Sequence, residues 1–258
     1  MGLREALEPP LDEKEILEAV PELSLARGLG QGPFHHLDVF DHTLEVLRGV
    51  ERELAAGRPG ARVRGDRVEG LRLAALLHDV AKPVTRGEVD GRVLFVSHDS
   101  LGAAVVREVC RRLGLSAQLT DLAATLTALH LKIGFMRSDH SDYPPGRLAR
   151  AAGPFGEELA VLSWADRLAA QGPRLERKHL ERHRSLCAEF LTASRDLGPH
   201  PEPVYEKLVR QLGLTTGADG GYAASRLRLF EARGLGEEAA LAHVARLLQA
   251  PGSGPSSC

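Results

Sequence analysis

The sequence predicts an all-α fold, a bundle of helices. Apolar residues recur at spacings of three and four through most of the chain, as in Leu44, Leu47, Val50 and Leu54. Only one short run, Arg92–Ser97 with Val93, Leu94, Phe95 and Val96, reads as extended. Hydrophobic residues make up 43% of the 258-residue chain, which suits a buried core rather than a disordered chain. That length fits one large domain, or one domain with an appendage.

Residues 1–34 form an N-terminal segment whose stretch Gly2–Glu18 is acidic, with Glu5, Glu8, Asp12, Glu13, Glu15 and Glu18 against Arg4 and Lys14. It closes in a Gly/Pro loop at Gly28–Pro33. A helix follows from about Val39 to Leu54. Gly57–Gly70 is polar and rich in Arg and Gly, an exposed loop. Leu71–Val80 is a strongly apolar helix that Pro83 ends. The extended piece leads into a helix at about Ser100–Leu113, and the next runs from Ala117 to about Leu131. Gly134–Pro154, with Tyr143-Pro144-Pro145-Gly146, is a long irregular or partly helical connection. Helices at Gly156–Gln171 and Leu175–Leu191 complete a main domain over residues 35–198. Residues 199–250 form a helical extension with amphipathic stretches at Val204–Leu212 and about Ala223–Leu248, interrupted by the glycine-rich Gly217–Gly221. Residues 251–258 are a flexible tail.

Several function classes are excluded by composition. Lys+Arg is 33 and Asp+Glu 35, for a net charge of −2, so the chain is no non-specific coat for nucleic acid. At 4% aromatics, stacking platforms for single strands are not expected. No apolar stretch reaches the roughly 18 residues of a membrane span. The start, MGLREALEPP, has no apolar signal region. Three scattered cysteines, Cys110, Cys187 and Cys258, make neither a disulfide framework nor a thiolate zinc site, and a cytoplasmic location is expected.

The informative residues are polar ones inside apolar stripes. His78 and Asp79 continue the run Leu73, Leu76, Leu77. His130 continues Leu119, Leu122, Leu126, and Asp166 continues Leu159, Leu162. Burying an imidazole or a carboxylate among Leu and Ala is costly unless it is paired or binds a metal. Three helices that each aim one inward suggest that these residues meet. His42 opens its helix and His98 stands at the start of another. His42, His78, Asp79, His98, His130 and Asp166 would suffice for two metals about 3.5–4 Å apart. His78 and Asp79 point about 100° apart on a helix, so they flank a metal pair, or Asp79 bridges it.

These residues resemble the pattern of the HD-domain phosphohydrolase superfamily, a His, a His-Asp doublet and a distant Asp, here His42, His78-Asp79 and Asp166. With His98 and His130 the set resembles its six-ligand, two-metal form. The closer resemblance is to the HD domain attached to bacterial CCA-adding tRNA nucleotidyltransferases. It is carried by HHLDVFDHTLEVL, LAALLHDVAKPVTR, GRVLFVSHDSLGAAVVREVCRRL, LTALHLKIG and WADRLAA, over about residues 35–171. Residues 1–34 lack the Gly-Ser and paired-Asp polymerase motif, so a free-standing HD domain is expected. Ala81 stands where Gly usually precedes the Lys.

The resemblance implies an HD-domain helical bundle with additional C-terminal helices. It implies hydrolysis of phosphate mono- or 2′,3′-cyclic diesters of nucleotides or RNA ends by a metal-bridging hydroxide. The cofactors would be two divalent ions, Mn²⁺, Fe²⁺ or Ni²⁺ first for a mixed imidazole and carboxylate set, with Mg²⁺, Co²⁺ and Zn²⁺ as alternatives. Asp79, Lys82 and Arg86 are the catalytic candidates, with Lys82 and Arg86 clamping the phosphate. His35, His36 and Asp38 are second-tier candidates for substrate contact or leaving-group protonation. A dNTP, dinucleoside polyphosphate or alarmone is the rival substrate. A non-catalytic RNA-binding partner of a tRNA-processing enzyme is the rival class, with weak RNA binding at the basic segment Arg174–Arg184. The oligomeric state is left open.

Other residues carry plainer expectations. Asp99 caps a helix. Lys82 and Arg86 could instead serve the end of the preceding helix. His179 and His183 lie on a solvated charged helix, His140 lies in a surface loop, and Trp164 packs in the core.

Overall fold

The computed structural model of the chain describes residues 3–8, 11–56, 63–138, 143–198, 202–214 and 217–249. It is all-α, with one two-stranded hairpin. Two short helices, α1 (Leu3–Ala6) and α2 (Glu13–Ala19), and a 3₁₀ turn (Pro21–Ala26) lead to α3 (Val39–Ala56) and α4 (Asp66–Leu77). A short α5 (Lys82–Thr85) enters the hairpin β1 (Arg86–Val89) and β2 (Arg92–Phe95). Then come α6 (His98–Arg112), α7 (Ala117–Leu129), the single-turn α8 (Lys132–Phe135), α9 (Pro145–Ala152), α10 (Gly156–Ala170) and α11 (Arg177–Asp196). The C-terminal helices are α12 (Glu202–Gln211), α13 (Gly217–Ala232) and α14 (Glu237–Gln249).

Packing centres on α7, which lies against α4, α6 and α13, while α10 joins α3 to α11. The apolar runs predicted above are the contact faces. Leu73, Leu76 and Leu77 of α4, Leu122 and Leu126 of α7, and Leu159 and Leu162 of α10 are all buried in one core. A smaller cluster of Leu208, Val209, Ala223, Leu227, Ala240 and Val244 unites α12, α13 and α14. Helix α13 belongs to both, since its Tyr222 and Leu229 enter the main core.

Several boundaries differ from the sequence expectation. The apolar helix α4 begins at Asp66, inside the expected loop, and stops at Leu77. Pro83 does not end it. It sits in the first turn of α5, where its missing N–H costs nothing. The extended piece has a partner strand, with Arg86 paired to Phe95 and Val89 to Arg92. Asp90 and Gly91 form the turn at φ 50° and 70°, the two left-handed positions a tight hairpin requires. The preceding helix region extends through α8 to Phe135, and α9 is the helical part of the connection beyond it. Gly217–Gly221 is not a break but the first turn of α13, and the expected Ala223–Leu248 stretch is two helices. A Cβ at Gly221 would lie 2.1 Å from the Ala117 carbonyl oxygen, so glycine lets α13 approach α7. His140, Cys258 and the tail 251–258 lie outside the described residues, as do residues 57–62 of the expected loop.

Candidate metal centre

Three of the histidines stand at helix ends, while His42 and Asp166 project from within α3 and α10. His78 follows the last residue of α4 and His130 the last of α7, where the final turn leaves carbonyls without helical partners. Each histidine uses one: Nδ1 of His78 donates to Ala75 O at 2.8 Å, and Nδ1 of His130 to Thr127 O at 2.8 Å. His98 opens α6 and its Nδ1 donates to Phe95 O at 2.7 Å, at the end of β2. The residue before it, Ser97, has φ 62°, a strained left-handed backbone for a non-glycine residue. Three imidazoles are thus locked in one tautomer, with Nε2 left as a lone-pair donor.

Those Nε2 atoms converge on Asp79, which is 1% exposed. Its Oδ2 lies 3.1 Å from His78 Nε2 and 3.9 Å from His42 Nε2. Its Oδ1 lies 3.4 Å from His98 Nε2 and 3.6 Å from His130 Nε2. The carboxylate therefore faces two nitrogen pairs, one with each oxygen. Asp166 extends the first lobe, with Oδ1 accepting from His42 Nε2 at 3.0 Å. His35 joins there too: its ring stands edge-on to His42 at 5.0 Å, and its donor atom falls in one group with those of His42 and Asp166. The ligand atoms group as His35, His42 and Asp166; His42, His78 and Asp79; and Asp79, His98 and His130.

The donor set fits divalent cations. His78 Nε2, His98 Nε2, Asp79 Oδ1, His42 Nδ1 and His35 Nδ1 are buried without a hydrogen-bond partner, and unsatisfied buried polar atoms are costly. Most protonation states suit metal binding as well; at His78 burial is outweighed by Asp79, which holds the imidazole above its usual value, so an ion there must displace a proton. Burial works to raise the Asp79 carboxyl but is outweighed by His78 and Lys82, which hold it well below the usual carboxylate range. Asp166 is held low against burial by its hydrogen bond from His42. Burial, then His78, pushes His130 down to about 4, and burial, then His42, does the same to His35. Ionised carboxylates and neutral imidazoles are the forms that ligate metals.

The remaining candidates separate. Lys82 is buried at the cluster's edge, its Nζ 2.6 Å from Asp79 Oδ2 and 2.6 Å from Gln31 Oε1. Arg86 is not brought in; it is exposed on β1 and 3.9 Å from Glu88. Asp38 caps α3, its Oδ1 accepting from Asp41 N and its Oδ2 from Gly28 N, so both oxygens are engaged. His36 turns away and its Nδ1 donates to Ala170 O at 3.0 Å. Asp99 is not the cap of α6, which is Ser97; it lies in the first turn, accepts from Ser100 N and pairs with Lys132 at 2.7 Å.

His183 is buried rather than solvated, its Nε2 3.1 Å from Ser163 O, while His179 closes a capping box with Glu176 at the start of α11. Trp164 is half-buried and stacks on His183. Gln31 is the functional residue that sequence reasoning missed. It is a buried amide in a loop, donating to Asp38 O at 3.2 Å while holding Lys82. Only its polarity among Gly and Pro offered a signal.

No helix is long and apolar enough to cross a membrane, among the described residues. Comparison with known families matches the HD domain over residues 39–171. The chain is 34% identical over 222 residues to the A-adding tRNA nucleotidyltransferase of Deinococcus radiodurans, covering 84% of this chain and 48% of that protein. It is 31% identical over 219 residues to the CC-adding tRNA nucleotidyltransferase of Thermus thermophilus, covering 83% and 46%. It is also 37% identical over 121 residues to a bifunctional uridylyltransferase/uridylyl-removing enzyme of Novosphingobium aromaticivorans, covering 43% and 12%. The chain spans about half the length of the first two relatives.

Proposed function

The chain belongs to the HD-domain family, and from that premise we propose that it is a metal-dependent phosphohydrolase acting on phosphate monoesters or 2′,3′-cyclic diesters of nucleotides or RNA ends. The observation that carries this reading is the Asp79 carboxylate, buried and shared between two lobes of imidazole nitrogen. His42, His78, Asp166 and Asp79 Oδ2, with His35 beside them, would hold one divalent ion; His98, His130 and Asp79 Oδ1 would hold the second. Mixed imidazole and carboxylate donors favour Mn²⁺, Fe²⁺ or Ni²⁺. When bound, such ions make water nucleophilic near neutral pH and offset charge on phosphate oxygens.

The chain's own residues do the rest. The carbonyls of Ala75, Phe95 and Thr127 orient three imidazoles, so the site is organised before anything binds. Lys82 sets a fixed positive charge beside Asp79, held by Gln31, where it can attract a non-bridging phosphate oxygen. Asp166, with its side chain 20% exposed, is the cluster carboxylate nearest to solvent, and substrate enters on its side. The relatives' names support the substrate class: two are A-adding and CC-adding tRNA nucleotidyltransferases, and the third is a bifunctional uridylyltransferase/uridylyl-removing enzyme. A cytoplasmic setting belongs to the same proposal and suits the free, buried Cys110 and Cys187.

The test is a screen of 2′,3′-cyclic nucleotides, p-nitrophenyl esters, dNTPs and alarmones across Mg²⁺, Mn²⁺, Ni²⁺, Co²⁺ and Fe²⁺, beside elemental analysis. Metal-dependent turnover of the cyclic or monoester substrates is expected. Turnover confined to dNTPs or alarmones would transfer the reading to the rival substrates. Tight RNA binding with no turnover under any metal would replace it with a binding module.

A further inference from the structure

A second cavity lies beside the metal lobe of His98 and His130, where the C-terminal helices meet the HD domain, with Ser100 and Lys132 in its lining. Charged side chains buried in this fold come with a partner. Lys82 has Asp79, Asp99 has Lys132, Arg107 has Asp219, Glu158 has Arg67 and Arg228 has Asp121. Arg226 on α13 is the exception among the described residues. It is 7% exposed, yet no carboxylate lies within ion-pair distance, and its Nε has no hydrogen-bond partner. Its polar contact is a long one, 3.4 Å to Ser225 Oγ, and its guanidinium stands 5.3 Å over the Tyr222 ring. Asp99 acts on it from farther away and is already engaged by Lys132. A buried guanidinium without an anion is costly, and Arg228, two residues on, has one in Asp121 of α7.

The unpaired group faces a cavity of about 240 Å³. Arg226, Arg233, Lys132, Tyr143, Tyr222 and Ser100 line it, so cations and hydroxyls converge on one space. Arg233 stands 5.3 Å over the Tyr143 ring. Guanidinium forks, an ammonium and tyrosyl hydroxyls match the oxygens of a tetrahedral anion. We infer that this cavity is a phosphate-binding site, formed only where α13 docks on the HD domain, with the Arg226 guanidinium as its main contact. The ligand is a phosphate group, either free or as a phosphodiester of an RNA strand. Neither source depends on the hydrolase reading.

The test uses the metal-loaded full chain, so that anion binding at the metal lobes contributes equally to every variant. Inorganic phosphate and the dinucleotide ApA are titrated into wild type, R226M and R226K, with calorimetry and thermal unfolding as readouts. At least one titrant should bind wild type and raise its Tm by about 2–4 °C at concentrations well above Kd. R226M should lose about tenfold or more in affinity, and R226K, which keeps the charge but not the fork, should fall between. Without titrant, R226M should melt at or above wild type, because an unpaired buried charge has been removed. A phosphate response assigns a free anion, and a response to ApA alone assigns a strand. Equal binding by all three proteins, or no binding by wild type, would overturn the inference.

Discussion

Buried histidines occur in two regions beside α10, and they are satisfied in opposite ways. Asp166 reaches from α10 into the metal cluster, and Ser163, three residues earlier, reaches His183 of α11. His183 spends its Nε2 on Ser163, within 3.1 Å of both the carbonyl and the hydroxyl oxygen. His78, His98 and His130 spend Nδ1 on a carbonyl three residues back and leave Nε2 aimed at Asp79. Burial is the same in both regions. The nitrogen that remains without a protein partner separates a ligand from a packing residue.

The largest break in that contrast should come from Asp79. D79N keeps the shape but removes the charge that serves both lobes, and should lower kcat/KM by about a thousandfold or more. Bound metal should fall together with activity. Wild-type metal content in an inactive D79N would place the residue in chemistry rather than in assembly. Lys82 comes next. K82M should cost about a hundredfold in kcat, since one preorganised charge beside the phosphate is lost, while metal content stays near wild type. Metal loss in K82M would mean that the ammonium serves to hold Asp79 in place.

Much of the metal cluster was legible in the sequence, because a His or Asp that continues an apolar stripe has few inexpensive fates. His78, Asp79, His130 and Asp166 stood out in this way, and the structure brings them together with His42 and His98. Their local setting was not legible. Periodicity carries both His78 and His130 onward as helix interior, whereas the helices stop one residue earlier and lend the histidines a free carbonyl. The hairpin was half visible: Asp90-Gly91 is a strong turn signal, but Arg86–Val89 has no apolar alternation, and all four residues are exposed. His35 reads as a loop residue. It enters the first lobe because 33–36 runs against 170–174, with Gly172 N donating to Phe34 O at 2.8 Å. A Cβ at Gly172 would lie 2.4 Å from His35 N, a constraint that no helical or strand period encodes.

Gln31 sharpens the contrast at smaller scale. It touches no metal ligand in the lobes but fixes Lys82, so it is a positioning residue. Q31A should cost about tenfold in kcat with little change in KM, and Q31E, which keeps an acceptor for Lys82, should recover part of the loss. A matching drop in Tm for Q31A and Q31E with unchanged kcat would reduce Gln31 to loop structure.

The smallest effect on turnover should come from His183, and its signature is in stability. Burial and then Arg167 push its pKa down to about 4, below an unfolded value near 6.5. The unfolded chain therefore binds the proton first as pH falls. Stability is fully present above about pH 6.5, declines between 6.5 and about 4, and changes no further from this group below that. H183N can still donate toward Ser163 but cannot titrate. At pH 7.5 it should lose about 1–3 kcal/mol, from imperfect packing and a weakened hydrogen bond. Between pH 7.5 and 5 its urea midpoint should fall less than that of wild type. Its metal content and kcat should match wild type, as they must if a buried histidine whose Nε2 is already spoken for takes no part in the cluster. Metal loss in H183N would erase the distinction between the two regions, because Ser163 and Asp166 would then be acting through one helix on one site.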